Sequence, residues 1–450
     1  MEGYLKRQLW IVVPLYIGQS LAGYSMGWSA PIIPKLQDPK QSPLSSSISE
    51  TETSLVGSIT YVGLIIGPYI TGYLSNAIGR KPSFFVAGLL TLLSFLLLAN
   101  ANNLAMIFTG RVICGLGTGM IYVVNLVYIG EIASTNIRGI LLTSTNIFTT
   151  LGTLFVYAVG PYVSYPVVSY IAVGVTALYI LGILFIPESP TYYILKERTK
   201  SAQGAMDKLG RLDELDEILA VKYNTEKLSV VEEWKQMITV KSNRKALFIT
   251  LSLSIFQQTS GIIVVIFFAT TIFETAGSSI EPNVATIIIG VTQFVASMLS
   301  SFFVERMGRR ILLLCSTTIA GLSMATLGVY FYLDLIDHSS ISMIKWLPLV
   351  SLIIYFLFYD FGFGIIPGTL IGEMYQSNVR SIGSTVSITV AWLFGFGVAT
   401  VYGYMVSDLG SHITFWMFSG MCALACLFTA IFVPETKGKS LAEIQQILNK

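Results

Sequence analysis

The chain has 450 residues, 53% hydrophobic and only 12% charged, with a mean hydropathy of +0.70 and a formal net charge of +2. Soluble domains carry about 25% charged residues, so a chain this poor in charge cannot cover itself in water and belongs in lipid. Its four cysteines (Cys114, Cys315, Cys422, Cys426) lie inside apolar runs, which argues against both a disulfide scaffold and a metal centre.

Apolar runs of about 20 residues, the length that crosses ~30 Å of hydrocarbon, fall near 8–33, 54–74, 83–100, 104–129, 139–160 and 166–186. Six more follow at 246–273, 284–304, 310–333, 346–372, 381–406 and 411–433. Irregular chain cannot face lipid with unpaired backbone groups, so each run is expected to be an α-helix. Between the two sets lies the one long polar interval, Glu188 to Lys245, holding 21 of the 52 Asp, Glu, Lys and Arg residues. The expected organisation is an all-α integral membrane protein: a six-helix bundle over 1–187, a connector over 188–245, a second bundle over 246–434 and a tail over 435–450. Amphipathic helices are expected in the connector, for example Ser201 to Val221.

Lys and Arg set the orientation. Twenty-three of them fall on the side of both termini and the connector, against Lys35, Lys40 and Lys345 on the other, while Arg111 lies within the fourth span. The termini and connector are therefore expected in the cytosol. Lys6 and Arg7 precede an apolar run too long for a cleavable signal peptide, and no Asn-x-Ser/Thr sequon occurs.

The two halves repeat. Gly72–Pro82, with Gly79-Arg80-Lys81, matches Ser301–Ile311, with Gly308-Arg309-Arg310. Glu131 and Arg138 match Glu373 and Arg380, seven residues apart in both copies, and Pro187-Glu188 matches Pro434-Glu435. Parallel repeats place a substrate site near the midplane where the halves meet. Charges duplicated at helix ends are read as an inner gate of Arg80, Glu131, Arg138, Glu305, Arg309, Glu373 and Arg380: Glu131 with Arg138 and Glu373 with Arg380 can pair within or between the halves, and Arg80, Arg309 and Arg310 can cap helix C-termini or meet those carboxylates. Simple topogenic charge is the alternative.

These motifs resemble the sugar porter branch of the major facilitator superfamily over nearly the whole chain. The matching pieces are Gly79-Arg80-Lys81, Gly110-Arg111, Glu131 to Gly139, Pro187 to Pro190, Gln257 to Gly261, Glu305 to Arg310 and Pro434 to Gly438. Met26 to Pro31 further resembles an insect subgroup that includes facilitated trehalose transporters. The resemblance implies alternating access by two rocking bundles, a connector that braces them, and sugar held by polar side chains of the C-terminal half.

Amides suit a sugar because each offers two donors and an acceptor. Gln257 and Gln258, adjacent in the seventh span, point about 100° apart and cannot share one partner. The resemblance adds Gln293, Asn146 and Trp392 as sugar contacts. Asp360 is the only carboxylate deep in a span, a functional candidate by default: it can accept sugar hydroxyls, pair with Arg111 or Arg138, or bind a proton. Departures from the family pattern are Ile262-Ile263, Gly368, Ala391, Gly395 and Asn76. The first four either enlarge the cavity, as a disaccharide needs, or weaken sugar binding. Proton-coupled relatives carry an Asp in the first span, whereas residues 8–34 contain no acid, which favours facilitated diffusion of trehalose or a hexose. A sugar sensor and a symporter working through Asp360 are the alternatives. No nucleophile–His–acid set, Walker sequence or metal cluster is present, so an enzyme, a cofactor and a metal are not expected. The partners are a small sugar and the bilayer, with no nucleic acid, and the chain is expected to act as a plasma-membrane monomer.

Overall fold

The computed structural model describes residues 2–46, 48–212, 230–337, 340–376, 378–439 and 441–449, and the regular structure among them is helical. Eleven helices among the described residues are long and apolar enough to cross a membrane, from Glu50–Ala77 to Ser411–Phe432. They coincide with eleven of the twelve expected runs. The first run forms the helix Glu2–Gly27, where Gln8, Gln19, Ser20 and Ser25 dilute the apolar character.

Helix limits follow local chemistry. Asn103 caps Leu104–Ile132 by accepting the Met106 N–H at 2.9 Å, and Ser189 caps Pro190–Leu195, where proline at the first position gives up an N–H that would be orphaned anyway. Large side chains such as Phe185 (86% exposed) and Leu178 face outward, as a lipid-facing surface requires. Trp28, Phe84, Phe95 and Tyr128 are buried in one bundle, and Tyr330, Tyr355 and Tyr375 in the other.

The chain divides into two compact units, Met1–Ile48 with Ile59–Glu226, and Ser49–Ser58 with Lys227–Lys450. The division falls inside the polar interval, and the second unit also takes the first turns of the helix Glu50–Ala77. Each unit carries a short polar helix of its own. In the first, Thr199–Leu209 buries Ala202, Ala205, Met206 and Leu209 and stops at Gly210 in the left-handed region. There Gln8 donates to the Leu209 carbonyl at 3.4 Å and accepts the Ser134 N–H at 3.2 Å. The helix expected to reach Val221 thus ends at Leu209, and residues 213–229 lie outside those described. In the second unit the tail is not a plain extension. Leu441–Asn449 is a helix that buries Ile444 and Leu448, with Gln445 donating to the Met374 carbonyl at 2.6 Å.

Two spans of the second unit are interrupted. The seventh breaks at Gly261 (φ +95°), where a Cβ would lie 2.8 Å from Phe418, and resumes as Ile262–Ala276. The tenth contains a π-helical turn, Tyr359–Phe363, between Leu347–Phe358 and Ile366–Met374. Gly362 makes that turn possible by letting the backbone approach the ninth span: a Cβ there would lie 2.6 Å from the Leu312 carbonyl oxygen. The Phe363 N–H is taken up by Ser316 Oγ at 2.7 Å.

Candidate functional site

In the second unit the interruptions bring polar chemistry to the seventh, eighth and tenth spans. Just after the π turn, Pro367 has no N–H to offer the Phe363 carbonyl, and Gln257 Nε2 donates to that oxygen at 2.8 Å and to Gly364 O at 3.0 Å. That nitrogen of Gln257 is committed to the backbone, and the side chain ties the seventh span to the tenth. Ser260 is also engaged, through the Gln257 carbonyl at 2.7 Å and Tyr355 Oη at 3.0 Å.

Gln258 differs. Its Oε1 is buried and has no hydrogen-bond partner among the described residues, and the same holds for Gln293 Oε1 and Asp360 Oδ2. Buried polar atoms are nearly always satisfied, so three orphaned acceptors on three spans call for donors from elsewhere. The helix bearing Gln293 packs on the turn bearing Asp360. Trp392 is half-buried on Arg380–Tyr404. A Cβ at Gly368 would meet nothing within 4 Å, so this departure from the family pattern leaves open space.

In the first unit, Asn146 is half-buried on Thr135–Val159. One turn away lies a network that sequence reasoning missed. Gln19 Nε2 donates to Thr149 Oγ1 at 2.9 Å, and Asn125 Nδ2 donates to Gln19 Oε1 at 3.1 Å and to the Leu15 carbonyl at 2.9 Å. Isolated amides within apolar runs were the available signal. Arg111 is fully buried, donating to the Ser25 carbonyl at 2.8 Å with its guanidinium 5.1 Å from the centre of the Trp28 ring.

The repeated charges form two clusters of one design. In the first unit Arg80 Nε and Nη2 reach the two Glu131 oxygens at 3.0 and 2.7 Å. Ser189 Oγ donates to the same carboxylate. Glu188 accepts the N–H groups of Arg80 and Lys81 at 3.0 and 3.1 Å, capping Arg80–Ala99. In the second unit Arg309 Nε and Nη2 reach Glu373 Oε1 at 3.2 and 2.8 Å, Thr436 donates to Glu373 Oε2, and Glu435 accepts the N–H groups of Arg309 and Arg310 at 3.0 and 3.1 Å. The next cation in each repeat donates to a late carbonyl of its unit's last span, Lys81 to Leu184 and Arg310 to Ala430.

Of the two arginine sets expected near these glutamates, Arg80 and Arg309 reach them and Arg138 and Arg380 do not. Instead of the preceding glutamate, each donates to a carbonyl five residues back, Ala133 and Tyr375, at 3.2 and 3.3 Å, because Arg80 and Arg309 already hold the carboxylates. The Glu305 side chain lies outside the described residues. Burial pushes the Glu188 carboxyl above its ordinary value despite its N–H donors. At the less buried Glu435 desolvation also acts upward, but the N–H groups of Lys437, Arg309, Arg310 and Thr436 together bring it below the ordinary value.

Three comparisons bear on this architecture. The family model "Sugar (and other) transporter" matches residues 11–448. The chain is 31% identical over 449 residues to the facilitated trehalose transporter Tret1 of Bombyx mori, covering 99% of this chain and 87% of that one. To the protein of the same name from Apis mellifera ligustica it is 31% identical, covering 98% and 88%. In fold it is similar to a solved structure of the xylose transporter XylE from E. coli, with TM-score 0.81, 23% identity, and 98% and 99% of the two chains covered. A multi-pass membrane protein with duplicated Arg–Glu clusters, this chain belongs to the family of sugar (and other) transporters.

Proposed function

We propose that the protein is a facilitative sugar transporter of the plasma membrane, a monomer with both termini in the cytosol, which carries sugar by alternating access without any chemical step. The observation that carries the reading is the set of orphaned acceptors Gln258 Oε1, Gln293 Oε1 and Asp360 Oδ2. Sugar hydroxyls are the donors such a set takes, each bond contributing about 0.5–1.5 kcal/mol net. Gln258, Gln293, Asp360, Trp392 and Asn146 are the proposed contacts, with Gln257 contributing its Oε1 and holding the tenth span in place. The names of the relatives nominate trehalose, and the open space at Gly368 favours a disaccharide.

The Arg80–Glu131 and Arg309–Glu373 clusters are proposed as the inner gate, intact in one orientation and broken in the other. Coupling to protons is the second reading, motivated by the buried Asp360 carboxylate; the absence of an acid from residues 8–34 counts against it.

The test is uptake of labelled trehalose and glucose into oocytes expressing the wild type, Gln258→Ala and Asp360→Asn, at two external pH values. Saturable, pH-independent trehalose uptake weakened in Gln258→Ala supports the facilitator. Uptake that rises with acidity and loses that dependence in Asp360→Asn establishes the symporter instead. Failure to move either sugar, with surface expression verified, rejects both.

A further inference from the structure

The second unit contains a cavity of about 310 Å³ remote from the acceptors described above, at the lower end of the ~300–1,000 Å³ typical of small-molecule sites. Its place follows from the helix directions. Arg309 opens the ninth span, Glu373 closes the tenth and Arg380 opens the eleventh, whereas the cavity is lined by Tyr402 near the end of the eleventh and Ser411 at the start of the twelfth. It therefore lies at the end of the unit opposite the Arg309–Glu373 cluster, the extracellular end in the orientation proposed above.

Its lining has two characters. Two aromatic pairs form apolar walls: Phe268 with Tyr402, ring centres 4.9 Å apart, and Phe331 with Phe415, stacked at 5.4 Å. Thr271, Thr275, Ser54 and the acidic Glu50 line the same cavity. Thr275 donates to the Thr271 carbonyl at 2.8 Å, and Ser54 Oγ accepts the Gly403 N–H at 3.0 Å, which leaves lone pairs on the first oxygen and the proton of the second available. Thr271 Oγ1 is buried with no partner among the described residues. A lining that combines aromatic rings with hydroxyls and one acidic residue suits a pyranose, which has apolar C–H faces and a rim of hydroxyls.

We propose that this cavity is a second sugar subsite, which takes one pyranose ring from the external solution before it reaches the central site. The assignment of its face rests on the transporter reading; the binding itself does not. Thr271 Oγ1 is the specific recognition group, Glu50 accepts hydroxyls at the exposed mouth, and Phe268–Tyr402 forms the platform.

Ser407 supplies a reporter, because it is exposed at the rim and its hydroxyl is already committed to the Tyr404 carbonyl and Asp408. Full-length S407C protein in intact cells is treated with a membrane-impermeant maleimide, with and without glucose or trehalose, and labelling of the unsubstituted chain is subtracted. Sugar at four times its half-protecting concentration slows labelling about fivefold by mass action. Adding Thr271→Val abolishes the protection while saturable uptake persists, and Thr271→Ser restores it. Protection that survives Thr271→Val comes from the central site and overturns the proposal, as does unprotected labelling in cells whose uptake saturates. Loss in both Thr271 variants also overturns it, since the hydroxyl is then not what recognises the sugar. If no variant takes up sugar, the transporter reading fails on uptake alone, and protection at the reporter still decides the subsite.

Discussion

Arg80 grips Glu131 through two nitrogens and two oxygens, at 3.0 and 2.7 Å, with the two side chains only 5% and 14% exposed. Its counterpart, Arg309 on Glu373, uses one carboxylate oxygen and is 17% and 25% exposed. The same device thus has different weights in the two units. Breaking a buried pair by removing one partner costs about 3–5 kcal/mol, because a buried charge is left unpaired. Arg80→Ala is expected to lower the thermal midpoint more than Arg309→Ala, whose pair is screened by solvent. In a double-mutant cycle on the purified protein, Arg80→Ala with Glu131→Ala should destabilise by clearly less than the sum of the single changes. Additive effects would show that the pair contributes no coupling.

Gly79 and Gly308 hold the turns that present these arginines. Their φ values are +114° and +90°, and a Cβ would lie 2.4 Å from Glu188 Oε2 and 2.8 Å from Glu435 Oε2. Gly79→Ala and Gly308→Ala are expected to destabilise by about 1–3 kcal/mol each, from backbone strain and displacement of the capping carboxylate. Gly72→Ala is the control, since a Cβ there meets nothing within 4 Å. Melting curves that place all three variants together would remove the strain argument.

Most of the architecture was legible in the sequence because membrane helices obey coarse constraints. Length and apolarity located the runs, and Glu131 and Glu373 stood out because an entire local pattern is duplicated around them. The pairing was less legible. The repeat nominated Arg80 and Arg309 as well as Arg138 and Arg380 without choosing between them, and the arginines that arrive come from 51 and 64 residues before each glutamate, set by turns that only the assembled bundle positions. The π turn at Tyr359–Phe363 left no periodic trace, so the task of Gln257 could not be read from its neighbours. Gln19 and Asn125 were invisible for a similar reason: a lone amide in an apolar run does not reveal which helix it will face.

Acid should act on the two capping glutamates with opposite sign. Glu435 has a folded-state pKa below its ordinary 4.5, so its stabilisation is fully present above that value and is lost as pH falls through the lower, folded-state value. Glu188 is raised above 4.5; its contribution is present below the ordinary value and is lost as pH rises through the folded one. Glu435→Gln is therefore expected to flatten the acid limb of a plot of thermal midpoint against pH. Glu188→Gln should leave that limb and reduce the loss of stability on the mildly acidic side. Identical profiles for the two variants would contradict the assigned shifts.

The adjacent amides Gln257 and Gln258 are expected to separate stability from affinity. Gln257 Nε2 satisfies the carbonyls of Phe363 and Gly364 beside the π turn, at 2.8 and 3.0 Å. Gln257→Ala leaves both unpaired, at a cost of about 1–3 kcal/mol in thermal stability, and lowers the maximal uptake rate because the seventh and tenth spans lose their tie. Gln258 Oε1 has no partner among the described residues, so Gln258→Ala removes nothing the fold uses. Its thermal midpoint should match the wild type, while loss of one sugar hydrogen bond worth about 1 kcal/mol raises KM roughly fivefold. Paired melting and uptake measurements on the two variants decide the assignment. A Gln258 variant that melts early with unchanged KM would move that side chain from the sugar site into the scaffold.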